Sequence, residues 1–352
     1  MSDGPGHAVM TPLRAILRAS EWWEYKLLPT LAIFYATAVY LDQPILPLWP
    51  AAVALLASLI VGAIYVSVLN DVTDLKDDAA AGKVNRVSGR SPIIVFALIT
   101  LPVLGGLFFL WTWREQPLLL AVYALAWVAF TLYSLPPVRL KTRGLWGLMA
   151  DASGSHLCPT LLASLLVFAV AQRSPDGLWL TCVGTWAAAY GLRGILWHQL
   201  MDAESDRLAG ARTFVQRHGE GLARRLGLAV VFPIEILALA GLVVMTGSTG
   251  AGLAFLAYGA LALGRVRWFR MRAIVVSQQP QSFMVMNEYY EVFLPLFLIA
   301  GSVSHHPADL FVIIVHLAVF PGRMIQVTSD IVTIVTGVLG LLRRRLGFGR
   351  PD

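Results

Sequence analysis

Long apolar stretches separated by short charged ones set the pattern of this chain. Uncharged or nearly uncharged runs recur at Leu27–Leu41, Leu48–Leu69, Pro92–Trp113, Pro117–Leu135, Trp146–Ala171, Leu178–Leu192, Leu226–Thr246, Gly250–Gly264 and Val292–Val303. With their flanks, most approach the roughly 20 residues a helix needs to span a bilayer, so the pattern predicts about nine transmembrane helices. The stretch Leu310–Leu342 offers one further crossing, interrupted by "FPGR" at Phe320–Arg323. "MSDGPGHAVMTPLRAILRAS" has no apolar core ahead of its first charges, so the start of the chain does not read as a cleaved signal. The expected organisation is a cytoplasmic segment over residues 1–18, a membrane domain over 19–303 and a helical tail over 304–352.

Composition strengthens this. Hydrophobic residues make up 57% of the 352 and charged residues only 14%, against about 25% charged in soluble domains. The class is an all-α integral membrane protein. The positive charge is uneven. Arg14, Arg18 and Lys26 precede the first helix; Lys76, Lys83, Arg86 and Arg90 follow the second; Arg139, Lys141 and Arg143 follow the fourth. Arg207, Arg212, Arg217, Arg224 and Arg225 follow the sixth, and Arg265, Arg267, Arg270 and Arg272 the eighth, whereas the opposite loops hold only Arg114 and Arg173. The positive-inside rule then puts the N-terminus and the even-numbered loops in the cytoplasm. Basicity here reflects topology and contact with anionic membrane lipid, not nucleic acid. Cys158 and Cys182 lie inside apolar runs and read as small core residues.

Two acidic clusters break the apolar pattern. "NDVTDLKDD", Asn70–Asp78, closes the second run, and "LWHQLMDAESDRLAGARTF", Leu196–Phe214, closes the sixth. On a helix Asn70, Asp74 and Asp78 share a stripe, and Asp71 joins it through Asp74. Asp77 points about 100° away from Asp78 and reads as a solvated charge. His198, Asp202 and Asp206 form the second stripe, with Glu204 roughly opposite. Two such stripes facing each other make an oxygen-rich site suited to Mg²⁺, an ion held by a few carboxylates, waters and substrate phosphates. Their separation by four helices suggests duplicated halves.

The first cluster fits the Asn-Asp-x-x-Asp-x-x-x-Asp motif of the UbiA-type intramembrane prenyltransferases, which the chain resembles from about Ala19 to Val303. "DAESDRLAGARTF" is similar to that family's second motif, and "YSLPPVRLKTRG", Tyr133–Gly144, to the stretch after its fourth helix. The resemblance implies nine helices around a central cavity, a polyprenyl diphosphate held through two Mg²⁺ ions, and transfer of the prenyl group to a lipophilic or aromatic acceptor. It assigns Asn70, Asp71, Asp74 and Asp78 to one ion and Asp202 and Asp206 to the other. Tyr133 enters with the third stretch. Lys83, Arg86, Arg139, Lys141 and Arg207 are the candidates for the diphosphate, each also explicable as a positive-inside anchor. Arg193 lies within the sixth run, where facing lipid would be costly, so it is expected to face the bundle, pair with an acid and serve the substrate.

Two departures stand out. Many family members have Lys four residues before the second motif's first Asp, where this chain has His198; an imidazole there can orient Asp202 or carry a proton. The Arg-Pro common after the first motif is replaced by "KVNRVSGR". A third polar group, "MNEYYEVF" at Met286–Phe293, offers Glu288 and Glu291 either as acceptor-binding or proton-accepting groups or as partners of Arg265–Arg272. Trp197, Tyr65, Tyr133, Tyr190 and Phe130 are available to line an isoprenoid cavity. A terpene cyclase would use the same donor site without an acceptor. A transporter would need carboxylates mid-helix, whereas these close their helices.

Overall fold

The computed structural model describes residues 19–345 apart from positions 81, 83, 209 and 278. Among the described residues nearly all structure is helical. The helices are α1 (Ala19–Tyr40), α2 (Trp49–Thr73), α3 (Leu75–Ala80), α4 (Pro92–Thr112), α5 (Pro117–Ser134), α6 (Leu145–Val170) and α7 (Gly177–Met201). They continue with α8 (Ala203–Leu208), α9 (Phe214–His218), α10 (Glu220–Thr246), α11 (Thr249–Trp268), α12 (Tyr289–Val303), α13 (Leu310–Val319) and α14 (Pro321–Arg345). Two three-residue strands, Arg272–Ile274 and Ser282–Met284, pair in parallel between α11 and α12.

Six helices, α2, α4, α5, α6, α10 and α11, are long and apolar enough to cross a membrane, and the pair α13 and α14 makes a seventh if counted as one span. The expectation of nine added α1, α7 and α12. The first two are long but less apolar, and α12 is apolar but short. The reason lies in packing. Leu28, Ala32, Phe34 and Ala38 of α1 and Trp179, Val183 and Trp186 of α7 are wholly buried against protein, so these helices need not be as oily as their neighbours. Trp179 stacks on Tyr40 at 4.3 Å and donates its indole N–H to Ser164 Oγ at 3.0 Å, which satisfies its polar edge. Outward-facing Phe96, Phe108, Leu237 and Leu256 are exposed, an apolar surface of the kind that lipid covers. The protein is an integral membrane protein.

Three helices contain a π-turn: Ser153–Leu157 in α6, Gly227–Val231 in α10 and Tyr289–Phe293 opening α12. Such bulges re-aim side chains and recur at functional sites. The first turns His156 and the third turns Glu291 toward the interior space described below.

"FPGR" does more than interrupt the tail. α13 and α14 meet at a 90° bend, and Glu24 of α1 accepts from the backbone N–H groups of Gly322 (2.8 Å) and Arg323 (2.6 Å). An acid at a helix N-terminus satisfies orphan donors and favours the helix dipole. Further along, Gly337 lies so close to Trp268 of α11 that a Cβ there would meet the indole nitrogen at 2.5 Å. The tail is thus docked on the bundle by a cap at one end and a glycine contact near the other.

Candidate active site

The end of α2 builds the first half of the site. α2 stops at Thr73; Asp74 takes φ −102° and ψ 3°, outside the helical well, and α3 starts at Leu75. The α-type ladder nevertheless runs through the break: Asp74 N–H donates to Asn70 C=O (2.9 Å) and Asp78 N–H to Asp74 C=O (2.8 Å). The end of α7 repeats this design. Asp202 takes φ −88° and ψ 3°, α8 starts at Ala203, Asp202 N–H donates to His198 C=O (3.0 Å) and Asp206 N–H to Asp202 C=O (2.7 Å). Asn70, Asp74 and Asp78 therefore correspond in local geometry to His198, Asp202 and Asp206. Continuous helical stripes were expected; each instead passes through a residue of non-helical ψ at its middle carboxylate.

Around the first motif every carboxylate is held. Arg139 donates to Asp74 (2.7 Å) and Asp77 (2.6 Å), and Lys141 also contacts Asp74. Arg86 bonds Asp71 at 3.0 Å, Asn85 donates to Asp78 at 2.8 Å, and Ser134 at the end of α5 donates to the Asn70 side chain. Asp77 lines the cavity and pairs with Arg139, while its side chain stays more than half exposed, as a solvated charge would be. Arg139 sits at φ 39°, left-handed for a non-glycine residue. Such strain persists only where the surroundings impose it, and it clusters at binding sites. Burial lowers the affinity of Lys141 for its proton, with Arg139 adding to this and Asp74 opposing it.

The second motif is more open. His198 and Asp202 are exposed, and no side-chain partner of Asp202 occurs among the described residues. The following loop is fixed instead: Val215 N–H donates to Gln199 Oε1 (3.3 Å), and Arg217 donates to Thr142 C=O (2.8 Å), tying it to the loop that carries Arg139 and Lys141.

Both motifs open into one cavity of about 1510 Å³, lined by Asn70, Asp71, Asp74, Asp78, Asp202 and Asp206. Its wall also holds Arg139, Lys141 and His198 and all five proposed aromatic residues, Tyr65, Phe130, Tyr133, Tyr190 and Trp197. Tyr133 shares that wall with carboxylates of both motifs, Asp74 and Asp206. Gly154 gives the wall its shape, since a Cβ there would strike the Phe130 ring at 2.9 Å.

The remaining basic candidates go elsewhere. Arg86 braces Asp71 without lining the cavity. Arg207 forms a surface pair with Glu204 at 2.7 Å. Arg193 faces the bundle with an acid, as expected, but the acid is Glu235 of α10: Nε to Oε2 at 2.6 Å and Nη2 to Oε1 at 2.9 Å, both side chains fully buried. Tyr290 and Asn287 complete that network at 2.8 and 3.2 Å. Removing one partner of such a pair costs about 3–5 kcal/mol, so Arg193 reads as structural. Lys83 lies outside the described residues. Glu288 and Glu291 line the cavity while paired to Arg265 (2.6 Å) and Arg323 (2.5 Å), respectively.

Sequence reasoning missed Lys26, His156, Arg323 and Asp330, all on the cavity wall. His156 carried a usable signal, a titratable group inside an apolar run. Arg323 and Asp330 did not, because they reach the wall only through the bend after α13.

Among the described residues no three His, Cys, Asp or Glu side chains converge as a ready-made cation site. The donors present are oxygens on two opposed motifs, with several already held by Arg139 and Lys141. That suits a hard cation which arrives with water and phosphate and takes only part of its shell from protein.

Among known families, the sequence matches the model of the UbiA prenyltransferase family over residues 27–289. Two solved structures of a UbiA homologue from Archaeoglobus fulgidus have a similar fold, one bound to DMAPP and Mg2+ and the other to GPP and Mg2+. Each is 15% identical with a TM-score of 0.52, covering 84% and 83% of this chain, respectively, and 98% of that chain. No curated protein matches the sequence. The family model spans most of the chain and both acidic motifs, and the helical architecture agrees with it: the chain belongs to the UbiA prenyltransferase family.

Proposed function

We propose that this protein transfers a prenyl group from a polyprenyl diphosphate to a lipophilic, aromatic acceptor inside the membrane. The observation that carries the reading is a single cavity in which two Asp-bearing helix ends and the Arg139–Lys141 loop share the wall with Tyr65, Phe130, Tyr133, Tyr190 and Trp197. Asn70, Asp71, Asp74 and Asp78 would hold one Mg²⁺ and Asp202 and Asp206 a second. When bound, Mg²⁺ offsets the negative charge that builds on the departing diphosphate.

The chain's own residues do the rest. Arg139 and Lys141 already lie against Asp74, so phosphate oxygens entering there meet donors in place, which is where electrostatic catalysis gains most. Arg86 and Asn85 hold Asp71 and Asp78 in position. Apolar and aromatic walls hold the isoprenoid tail, exclude water and face an allylic cation with ring π-density. His198, one turn before Asp202, orients that carboxylate or meets the diphosphate edge. The mouth of the cavity faces the cytoplasm, in line with the charge asymmetry of the loops.

A cyclase acting on the diphosphate alone has no need of a polar end to its cavity, and the Arg265–Glu288–Arg323–Glu291 group supplies one. That favours transfer to an acceptor. Mass spectrometry of lipids from cells with and without the gene tests this: a prenylated aromatic lipid lost with the gene supports it. A cyclised hydrocarbon, formed by purified protein from prenyl diphosphate alone, would contradict it.

A further inference from the structure

After the 90° bend that separates it from α13, α14 stays at one end of the bundle. Its first residues meet the start of α1: Glu24 accepts from the Gly322 N–H, and the Arg323 guanidinium lies 5.2 Å from the Tyr25 ring. Arg323 also donates to Glu291 Oε2 (2.5 Å) at the start of α12. Further on, Asp330 pairs with Arg265 (2.8 Å), Ile334 fills the space a Cβ on Gly264 would need, and Gly337 abuts Trp268. Those three partners all belong to the last turn of α11. From Gly322 to Gly337 the helix runs roughly 22 Å at 1.5 Å per residue, most of the thickness of a ~30 Å hydrocarbon core. A crossing helix would descend along its neighbours over that length. α14 instead passes over the start of α1, the start of α12 and the end of α11, three helix ends on one side of the bundle.

Exposure around α14 is divided in the same sense. Ile325, Val332, Val335 and Leu339 are exposed along one side, with Thr328 among them and Ile331 at its edge. Gln326, Ser329, Thr333 and Thr336 are exposed along another. The hydroxyls of Thr333 and Thr336 also bond carbonyls of their own helix, as such residues do in lipid. The polar side alone therefore does not exclude a crossing; the path over three helix ends does. Beyond Gly337 the helix continues for two more turns and ends in Arg343, Arg344 and Arg345. We propose that α14 lies in the plane of the membrane interface and does not cross. Ile325, Val332, Val335 and Leu339 rest in the acyl boundary, and the basic end takes anionic phospholipid head groups. By the loop charges this is the cytoplasmic leaflet, on the side of Arg267, Arg270 and Arg272. α14 lies outside the matched family region of residues 27–289, and its placement is independent of the prenyl-transfer reading.

The test uses the full-length protein with Cys158→Ala and Cys182→Ala, in nanodiscs of equal parts phosphatidylcholine and phosphatidylglycerol. A single nitroxide is attached at Ile325→Cys, Val332→Cys, Leu339→Cys or Thr333→Cys, and its accessibility to oxygen and to a water-soluble nickel chelate is measured. The first three labels are expected to favour oxygen at one shared depth of about 5–10 Å, and the label at Thr333→Cys to favour the chelate. A depth that changes steadily from position 325 to 339, or oxygen preference at Thr333→Cys as well, would establish a crossing and overturn the proposal. Chelate preference at all four would place the helix in water and overturn it equally. For the lipid class, a bimane at Leu339→Cys is expected to be quenched at least twofold more by brominated phosphatidylglycerol than by brominated phosphatidylcholine. Combining Arg343→Gln, Arg344→Gln and Arg345→Gln is expected to remove that excess. Equal quenching by the two lipids, or an excess that survives the triple change, would overturn the assignment to anionic lipid.

Discussion

At the scale of single residues, the site separates groups held by protein from groups left open. Asp71, Asp74 and Asp78 each have a cation or amide in contact, while His198 and Asp202 face the cavity exposed. His198 takes the place in its motif that Asn70 takes in the other, and imidazole is a softer ligand than Mg²⁺ prefers. His198→Gln is therefore expected to lower the transfer rate by about 10- to 100-fold with little change in the Mg²⁺ concentration required. Steady-state rates across a Mg²⁺ titration check this, and a large rise in the Mg²⁺ requirement would make His198 a ligand. The acidic stripes were legible from helical spacing, whereas the five aromatic wall residues were named only as available to line a cavity. The pairing of exposed Asp77 with Arg139 was not legible, because it joins residues 62 positions apart.

Among the helices, the account depends on bends and docking. Two π-turns aim His156 and Glu291 inward, and the same local break closes α2 and α7. The tail is the element least readable from sequence. Its apolar content predicted a crossing, yet its contribution comes from the polar face that carries Arg323, Gln326 and Asp330, positioned by the 90° bend and by Glu24 some three hundred residues away. Such contacts leave no periodic trace. Gly337 makes the docking testable. Gly337→Val would place side-chain atoms on Trp268, and overpacking of this kind costs about 1–3 kcal/mol. A lower thermal midpoint and faster proteolytic release of the tail are expected. Unchanged values in both would show that α14 is not held through this contact.

For the molecule as a whole, the proposed orientation rests on the charge asymmetry of the loops. The loops after α2, α5 and α7 converge on the acidic mouth: the first two through Arg139 and Asp74, the second and third through Arg217 and Thr142. Single cysteines in these loops are expected to react with a membrane-impermeant maleimide only after the cytoplasmic face is opened; labelling from the outside of intact cells would invert the topology. The fold class was legible because lipid imposes a helix length and a composition on every crossing. The number of crossings was less so, since α1 and α7 are shielded by protein and relax that constraint.

The central claim is that both acidic helix ends act on one prenyl diphosphate through Mg²⁺. Calorimetric titration of purified protein with geranyl diphosphate, with and without Mg²⁺, tests it most directly. Wild-type protein is expected to bind only with Mg²⁺. Asp74→Ala and Asp202→Ala, each still folded in the membrane, are each expected to lose at least tenfold in affinity. Binding of equal strength without Mg²⁺, or wild-type affinity in either variant, would contradict the account.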